Sequence, residues 1–235
     1  MGYVAVDDMR VVAEPPDADA PIVYVVDSPE HPLALVGAAK DLAVTVVSVP
    51  VRNWNDALTP WPAAGLYRGE PDFGGEARRT LDELLDCAIP SFEEEAGLRP
   101  PRRAICGYSL GGLFSLYAFV RSEAFGACAC VSGSVWYEGW VDYLRDLDCA
   151  LLGRFAYLSV GTKEKRASRP LLKRVERNME ECVRILEGRG CKVRYVTGPG
   201  NHFAHVKERL GLGLAGLAEY LCGDAELRKS TREGS

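Results

Sequence analysis

The feature that most constrains this chain is an uncharged segment, residues 104–120, that contains Gly107-Tyr108-Ser109-Leu110-Gly111. Apolar residues enter this motif over the length of a short strand and leave it with helical spacing. The pattern predicts a strand, a sharp turn that carries Ser109, and a helix, with glycines on both sides because a Cβ there would collide with neighbouring backbone. A membrane span is disfavoured, since the segment is short and contains three glycines and two serines.

A serine on such a turn is suited to nucleophilic attack on a carbonyl group. The following helix points its N-terminus at Ser109, so its partial positive charge and the free N–H of Leu110 would stabilise the oxyanion formed in acyl transfer. A second N–H donor must come from another loop. The chain that leaves the predicted strand at residues 44–49 offers Val51 and Arg52, and the sequence does not separate them.

The rest of the chain alternates β-branched runs with amphipathic segments, which predicts a mostly parallel sheet flanked by helices. We expect residues 1–222 to form one domain and the polar residues 223–235 to form a flexible tail. Strands are predicted at residues 22–27, 44–49, 103–106, 127–131, 155–160 and 192–197, with one or two antiparallel edge strands within 3–12. Helices are predicted at residues 75–95, 110–121, 139–147, 170–188 and 205–222.

A serine hydroxyl is a poor nucleophile at neutral pH and needs a base. When a nucleophile elbow follows a strand of a parallel sheet, the acid and then the histidine come later in the chain, so His31 is on the wrong side of Ser109. The base is therefore His202 or His205. His202 is favoured because it follows the last strand across a turn of small residues, whereas His205 opens the final helix.

The acid should lie in a loop at the carboxyl end of a strand between Ser109 and the base, because the site of an open parallel sheet forms at that edge. Glu164 fits best, since it follows the strand FAYLSV across a short turn. Its neighbours form a charge run, which is more typical of a solvated surface. The alternatives are three aspartates in the preceding connection: Asp142, Asp146 and Asp148.

Loop residues at the same edge are candidate substrate contacts. Trp54, Trp136 and Tyr137 could line a pocket, although aromatic residues in loops are as often caps on the core. Arg52 could bind an anionic group through its planar guanidinium or form a salt bridge to Asp56. The connection that follows the strand at 127–131 is too short for a cap domain, which predicts an open cleft.

The chain resembles the esterase family of α/β-hydrolases that includes esterase D and the enterobactin and bacillibactin esterases. The resemblance covers residues 21–221 and rests on GYSLGGLFSLYA, VSGSVWY, SVGTKE and GPGNHF. It implies an α/β-hydrolase fold without a large cap domain, and places Ser109, Glu164 and His202 at the nucleophile, acid and base positions. One substrate class that it suggests is a siderophore-type lactone.

Two further segments bear on this resemblance. The family tends to carry an Arg, an Asp and a Thr-Pro pair in one loop, which here are Arg52, Asp56 and Thr59-Pro60 within VRNWNDALTPW. The spacing from Arg52 to Thr59 is longer than is usual in the family. Asp27 is followed by Ser28, where the family commonly has a glycine.

Composition narrows the remaining classes of function. The formal net charge is −5 and the basic residues are scattered, so we expect neither nucleic acid nor a membrane as a partner. The acidic start MGYVAVDDMR is unlike a secretory signal and favours a cytoplasmic protein. Most of the eight cysteines lie in apolar patterns and form no C-x-x-C pair, so Cys87, Cys106, Cys128, Cys130 and Cys182 are predicted to be buried thiols.

The combined interpretation is a serine esterase that acts on a small-molecule ester without a metal or a cofactor. A thioesterase or an acyltransferase is the alternative within enzymes, because the same acyl-enzyme can serve several acceptors. A binding protein that keeps this fold without catalysis is the alternative of another class.

Overall fold

Seven strands form one sheet in the computed structural model, which describes residues 2–13, 19–30, 32–167 and 169–232, with side chains described through residue 223. The spatial order is β1-β3-β2-β4-β5-β6-β7. β1 is antiparallel to β3, and the other neighbours are parallel. Every predicted strand is confirmed with small shifts at its ends. The strands are β1 Arg10–Ala13, β2 Ile22–Asp27, β3 Thr45–Pro50, β4 Arg103–Tyr108, β5 Ala127–Val131, β6 Phe155–Gly161 and β7 Lys192–Gly198.

Helices cover both faces of the sheet. They are α1 Leu35–Ala38, α2 Trp54–Ala57, α3 Ala77–Glu83, α4 Ile89–Glu95, α5 Leu110–Arg121, α6 Trp140–Asp146, α7 Val175–Gly188 and α8 Val206–Arg232. A π-helical turn, Leu84–Ala88, joins α3 to α4, so the helix predicted at residues 75–95 has three segments. The backbone of α8 continues to Arg232, past the end predicted at Cys222. His31 and residues 233–235 of the predicted tail lie outside the described residues.

Alternate residues of the central strands face opposite cores. On β2, for example, Tyr24 and Val26 belong to the core beneath α3 to α7, whereas Val23 and Val25 belong to the core beneath α1 and α8. All six residues of β2 are buried. This double burial is typical of a parallel strand covered by helices on both sides and explains why the strands read as continuous apolar runs.

The π-helical turn corrects one prediction about the thiols. Leu84 and Ala88 are buried within the turn, and this register leaves Cys87 exposed rather than buried. The other four cysteines predicted to be buried are buried. Across the described ranges, no helix is both long enough and apolar enough to cross a membrane.

The order of the strands determines where a site can form. The chain passes from β2 outward to β3, returns to β4 on the other side of β2, and then continues in the opposite direction to β5. Connections that diverge in this way open a crevice at the carboxyl ends of the central strands. Ser109 is the first residue after β4 and therefore lies at this crevice.

Candidate active site

Ser109 lies on a strained turn between β4 and α5. Its backbone has φ 58° and ψ −122°, a conformation that residues with a Cβ rarely adopt. A Cβ on Gly107 would lie 2.3 Å from the backbone carbonyl group of Gly111, so this glycine is required by close packing. A Cβ on Gly111 would instead meet the Trp54 ring at 3.2 Å, which is a tight contact with a side chain.

The structure brings together the three residues predicted to form a catalytic triad. The Oγ of Ser109 lies 3.0 Å from Nε2 of His202, and Nδ1 of the same ring lies 2.9 Å from Oε2 of Glu164. Both contacts are hydrogen bonds when the ring proton is on Nδ1. The Nδ1–H then donates a hydrogen bond to the carboxylate, and Nε2 accepts one from the serine hydroxyl. The arrangement has the order of groups that activates a serine for nucleophilic attack.

Glu164 begins a short 3-10 turn after β6 and is buried. Its Oε1 accepts the backbone N–H of Gly161 at 2.6 Å. Burial raises the pKa of this carboxyl, but the hydrogen bond and charge of His202 together with the Gly161 N–H outweigh it, so the pKa lies below its ordinary value. The group is therefore a carboxylate at neutral pH and can hold the imidazole in one tautomer.

The alternative acids do not reach the imidazole. Asp142 forms a surface salt bridge with Arg145 at 2.6 Å. Asp146 and Asp148 make no hydrogen bond to His202 within the part of the chain that the structure describes. The alternative base is also displaced, since His205 is exposed, precedes α8 and has a left-handed backbone with φ 57°.

The sequence analysis missed Arg209, a residue of α8 that is only 4% exposed. Its guanidinium donates to Oε1 of Glu164 at 2.9 Å, on the side of the carboxylate opposite His202. The only available signal was a cation on an otherwise apolar helix face, between Val206 and Leu210. A second contact that was missed is the hydroxyl of Tyr108, which donates to the backbone carbonyl of His202 at 2.5 Å.

The N–H groups expected to form an oxyanion hole are only partly available. Leu110 opens α5, and its N–H has no acceptor among the described residues. Val51 and Arg52 were wrong as the second donor, because their N–H groups donate to the carbonyls of Asp27 at 2.9 Å and of Tyr3 at 3.0 Å. Other N–H groups at the mouth of the site also have no acceptor among the described residues, among them those of Glu30, Asn53 and Trp54.

Two of the predicted substrate contacts lie elsewhere. Arg52 pairs with Asp8 at 2.5 Å rather than with Asp56, and it lines neither cavity that contains Ser109. Tyr137 is 2% exposed. Its hydroxyl donates to the carbonyl of Trp61 at 2.6 Å and its ring packs edge-on against Phe73, so it caps the core beneath the loop.

Two open cavities meet at Ser109 and His202. The first has a volume of about 700 Å³ and is walled by Trp54 and the loop after β2. The second has a volume of about 620 Å³ and is walled by Trp136, Lys163 and Arg166, among others. Trp54 and Trp136 therefore line these cavities, one on each side of the serine.

Comparison with known protein families matches most of the segments that form this site. A protein-family model described as "Putative esterase" matches residues 20–190, well over half of the chain. The chain belongs to this esterase family. The match contains the elbow and Glu164, and the loop that carries His202 lies beyond it.

Proteins of known structure share the fold of this chain. An IroE-like serine hydrolase from Shewanella oneidensis superposes with a TM-score of 0.72 at 18% identity, over 90% of this chain and 74% of that one. The siderophore hydrolase EstA from Aspergillus nidulans superposes with a TM-score of 0.65 at 18% identity, over 94% of this chain and 95% of that one. The family and the sheet together confirm the α/β-hydrolase fold.

One relative is similar in sequence. The uncharacterized protein YbbA of Bacillus subtilis strain 168 is 28% identical to this esterase over 150 residues, which are 63% of this chain. The matched part spans only 60% of YbbA.

Proposed function

We propose that this esterase hydrolyses carboxylic esters through an acyl-enzyme on Ser109, with His202 as general base and Glu164 as the acid that orients it. The observation that carries the proposal is the unbroken chain of hydrogen bonds from Ser109 Oγ through the imidazole to a buried carboxylate, at 3.0 Å and 2.9 Å. Ser109, at the start of these contacts, lies on a strained turn beside the Leu110 N–H, which has no acceptor among the described residues.

The reaction follows from these contacts. Ser109 Oγ attacks the ester carbonyl carbon while Nε2 of His202 takes the hydroxyl proton, and the oxyanion meets the N–H of Leu110. The imidazolium, stabilised by Glu164, then protonates the departing alkoxide. Water then attacks the acyl carbon while Nε2 takes its proton, and the imidazolium returns that proton to Ser109 Oγ as the bond between Oγ and the acyl carbon breaks and the acid leaves.

A fluorophosphonate probe tests the nucleophile and the base. We expect the probe to label Ser109 and the Ser109→Ala variant to lose both labelling and turnover. The His202→Ala variant should lose kcat by several orders of magnitude, whereas the matched control His205→Ala should stay within about tenfold, because only the general base removes the serine proton. Turnover that persists in Ser109→Ala, or the reverse ranking of the histidines, would contradict the mechanism.

For the substrate we propose a siderophore-type lactone or its linear fragments. Two open cavities flank Ser109, so a bulky ester can extend to both sides. The tryptophans offer stacking surfaces for aryl groups. Lys163 and Arg166 have no ion-pair partner among the described residues, so in the second cavity an anionic group could pair with their positive charges. The relative EstA is named as a siderophore hydrolase.

The ratio of kcat/KM between a lactone and a short ester tests the proposed substrate. We expect kcat/KM for a catechol trilactone to exceed that for p-nitrophenyl acetate, and the double variant Lys163→Gln, Arg166→Gln to lower only the lactone value, by about tenfold. Arg52→Gln is the matched control and should change neither, since Arg52 lies outside both cavities. Equal or better turnover of the short ester would indicate a general carboxylesterase, and preference for the matching thioester would indicate a thioesterase.

A further inference from the structure

Arg209 places one guanidinium where three loops of the site meet. Its Nη1 donates to Oε1 of Glu164 at 2.9 Å and to the hydroxyl of Ser132 at 2.8 Å. Its Nη2 donates to the backbone carbonyls of Pro199 at 2.7 Å and of Asn201 at 3.1 Å. The contacts therefore join Glu164, the residue that follows β5 and the loop that precedes His202.

We propose that Arg209 is the positioning residue for the Glu164–His202 pair, an inference that rests on the proposed function. The planar guanidinium holds the carboxylate at one end and two carbonyls of the loop that precedes His202 at the other, so the acid and the base keep one separation and one orientation. A lysine ammonium carries the same charge but cannot span both groups in a fixed fork.

The surrounding backbone is shaped to admit this side chain. A Cβ on Gly161 would lie 2.4 Å from Nη2 of Arg209 and 2.6 Å from the carbonyl oxygen of Gly200. The Nε of Arg209 is buried without an acceptor among the described residues. Burial of a guanidinium with one unsatisfied N–H opposes folding, so stability alone does not favour an arginine here.

The charge of Arg209 also bears on the imidazole. Arg209 partly neutralises Glu164, which weakens the attraction of the carboxylate for a proton on His202. Without the guanidinium, the carboxylate should stabilise positive charge on the imidazole more strongly. Since the base must be neutral, the acid limb of kcat/KM should then move to higher pH. The titratable or charged groups around the imidazole are Glu164 after β6, Tyr108 on β4 and Arg209 on α8, with Glu30, Asp56, Lys163 and Arg166 farther along the cavity walls.

Two substitutions separate charge from geometry. We expect Arg209→Met to lower kcat at least about 100-fold with KM within about threefold, and to move the acid limb of kcat/KM to higher pH. Arg209→Lys should also lower kcat, but its acid limb should stay near that of the wild type because the positive charge remains. The control Arg194→Met removes an exposed ion pair between Arg194 on β7 and Glu219 on α8, and it should change none of these values. Urea unfolding of each variant identifies the folded fraction for which the rates are computed.

The outcomes are distinct. If Arg209→Met keeps kcat per folded molecule within about threefold with an unmoved acid limb, or only loses stability, Arg209 is a structural contact and the inference is wrong. If Arg209→Lys matches the wild type in kcat, the fork geometry is not needed and the inference is equally wrong. A wild-type protein that neither labels at Ser109 nor hydrolyses any ester would instead overturn the proposed function itself.

Discussion

At the scale of single residues, burial and hydrogen bonding have opposite effects on the pKa of Glu164. It is 6% exposed, which disfavours the ionised form, yet it accepts hydrogen bonds from the Gly161 N–H, from Arg209 and from the imidazole. The balance lowers its pKa. A carboxyl whose pKa is lower in the folded protein than in the unfolded chain stabilises the fold above its unfolded pKa.

The Glu164→Gln variant tests this balance. In the wild type, the contribution of Glu164 to the free energy of unfolding should be complete above about pH 5 and lost as the pH falls through the unfolded and then the folded pKa. The stability difference between wild type and variant should therefore shrink on acidification, as measured by urea unfolding at pH 7, 5 and 3.5. A difference that is constant over this range would show that the carboxyl titrates alike in both states. At pH 7 we expect kcat of the variant to fall by about 10⁴-fold, the loss associated with the equivalent change in a Ser-His-Asp triad.

At the scale of elements, the junction of β4 and α5 carries the site. The strand ends against β5 through the Ser109 N–H, which donates to the carbonyl of Val131 at 3.2 Å. The helix is buried along its length up to Arg121. The two glycines of the elbow motif have different surroundings, backbone at Gly107 and side chains at Gly111.

This difference predicts different costs of substitution. Gly107→Ala should destabilise the protein by about 1–3 kcal/mol and slow probe labelling of Ser109, because backbone must move. Gly111→Ala should be milder, since the Trp54 ring can yield. Gly188→Ala in α7 is the control, because a Cβ there meets nothing within 4 Å. Urea unfolding and labelling rates check the order, and equal effects at the two elbow glycines would contradict it.

At the scale of the whole molecule, the thiols report how completely the two cores are closed. None of the eight cysteines forms a disulfide, and burial raises the pKa of Cys106, Cys182 and Cys191 to about 12. Burial also raises the pKa of Cys128 and Cys130 well above the ordinary value. Thiol reagents attack the thiolate, so these five groups are protected by both access and protonation.

A thiol titration should therefore resolve three classes. We expect the native protein to react rapidly at Cys87, more slowly at the half-buried Cys149 and Cys222, and not measurably at the other five until it unfolds. In denaturant all eight should react. A reducing agent should leave the midpoint of thermal unfolding unchanged. Rapid native reaction at Cys128 or Cys130 would show that the sheet opens locally at β5.

The sequence by itself determined the strand, elbow and helix around Ser109 and the parallel sheet, and it narrowed the base to His202 or His205. These follow from local spacing, from the backbone freedom of glycine and from there being only three histidines. The tertiary structure decided which polar groups near the site already have hydrogen-bond or ion-pair partners. The N–H groups of Val51 and Arg52 and the Arg52 side chain bind partners from distant segments, and Arg209 reaches Glu164 across 45 positions. Periodicity shows which face of an element is buried but not which polar group of another element will meet it, because such partners are chosen only when the elements pack.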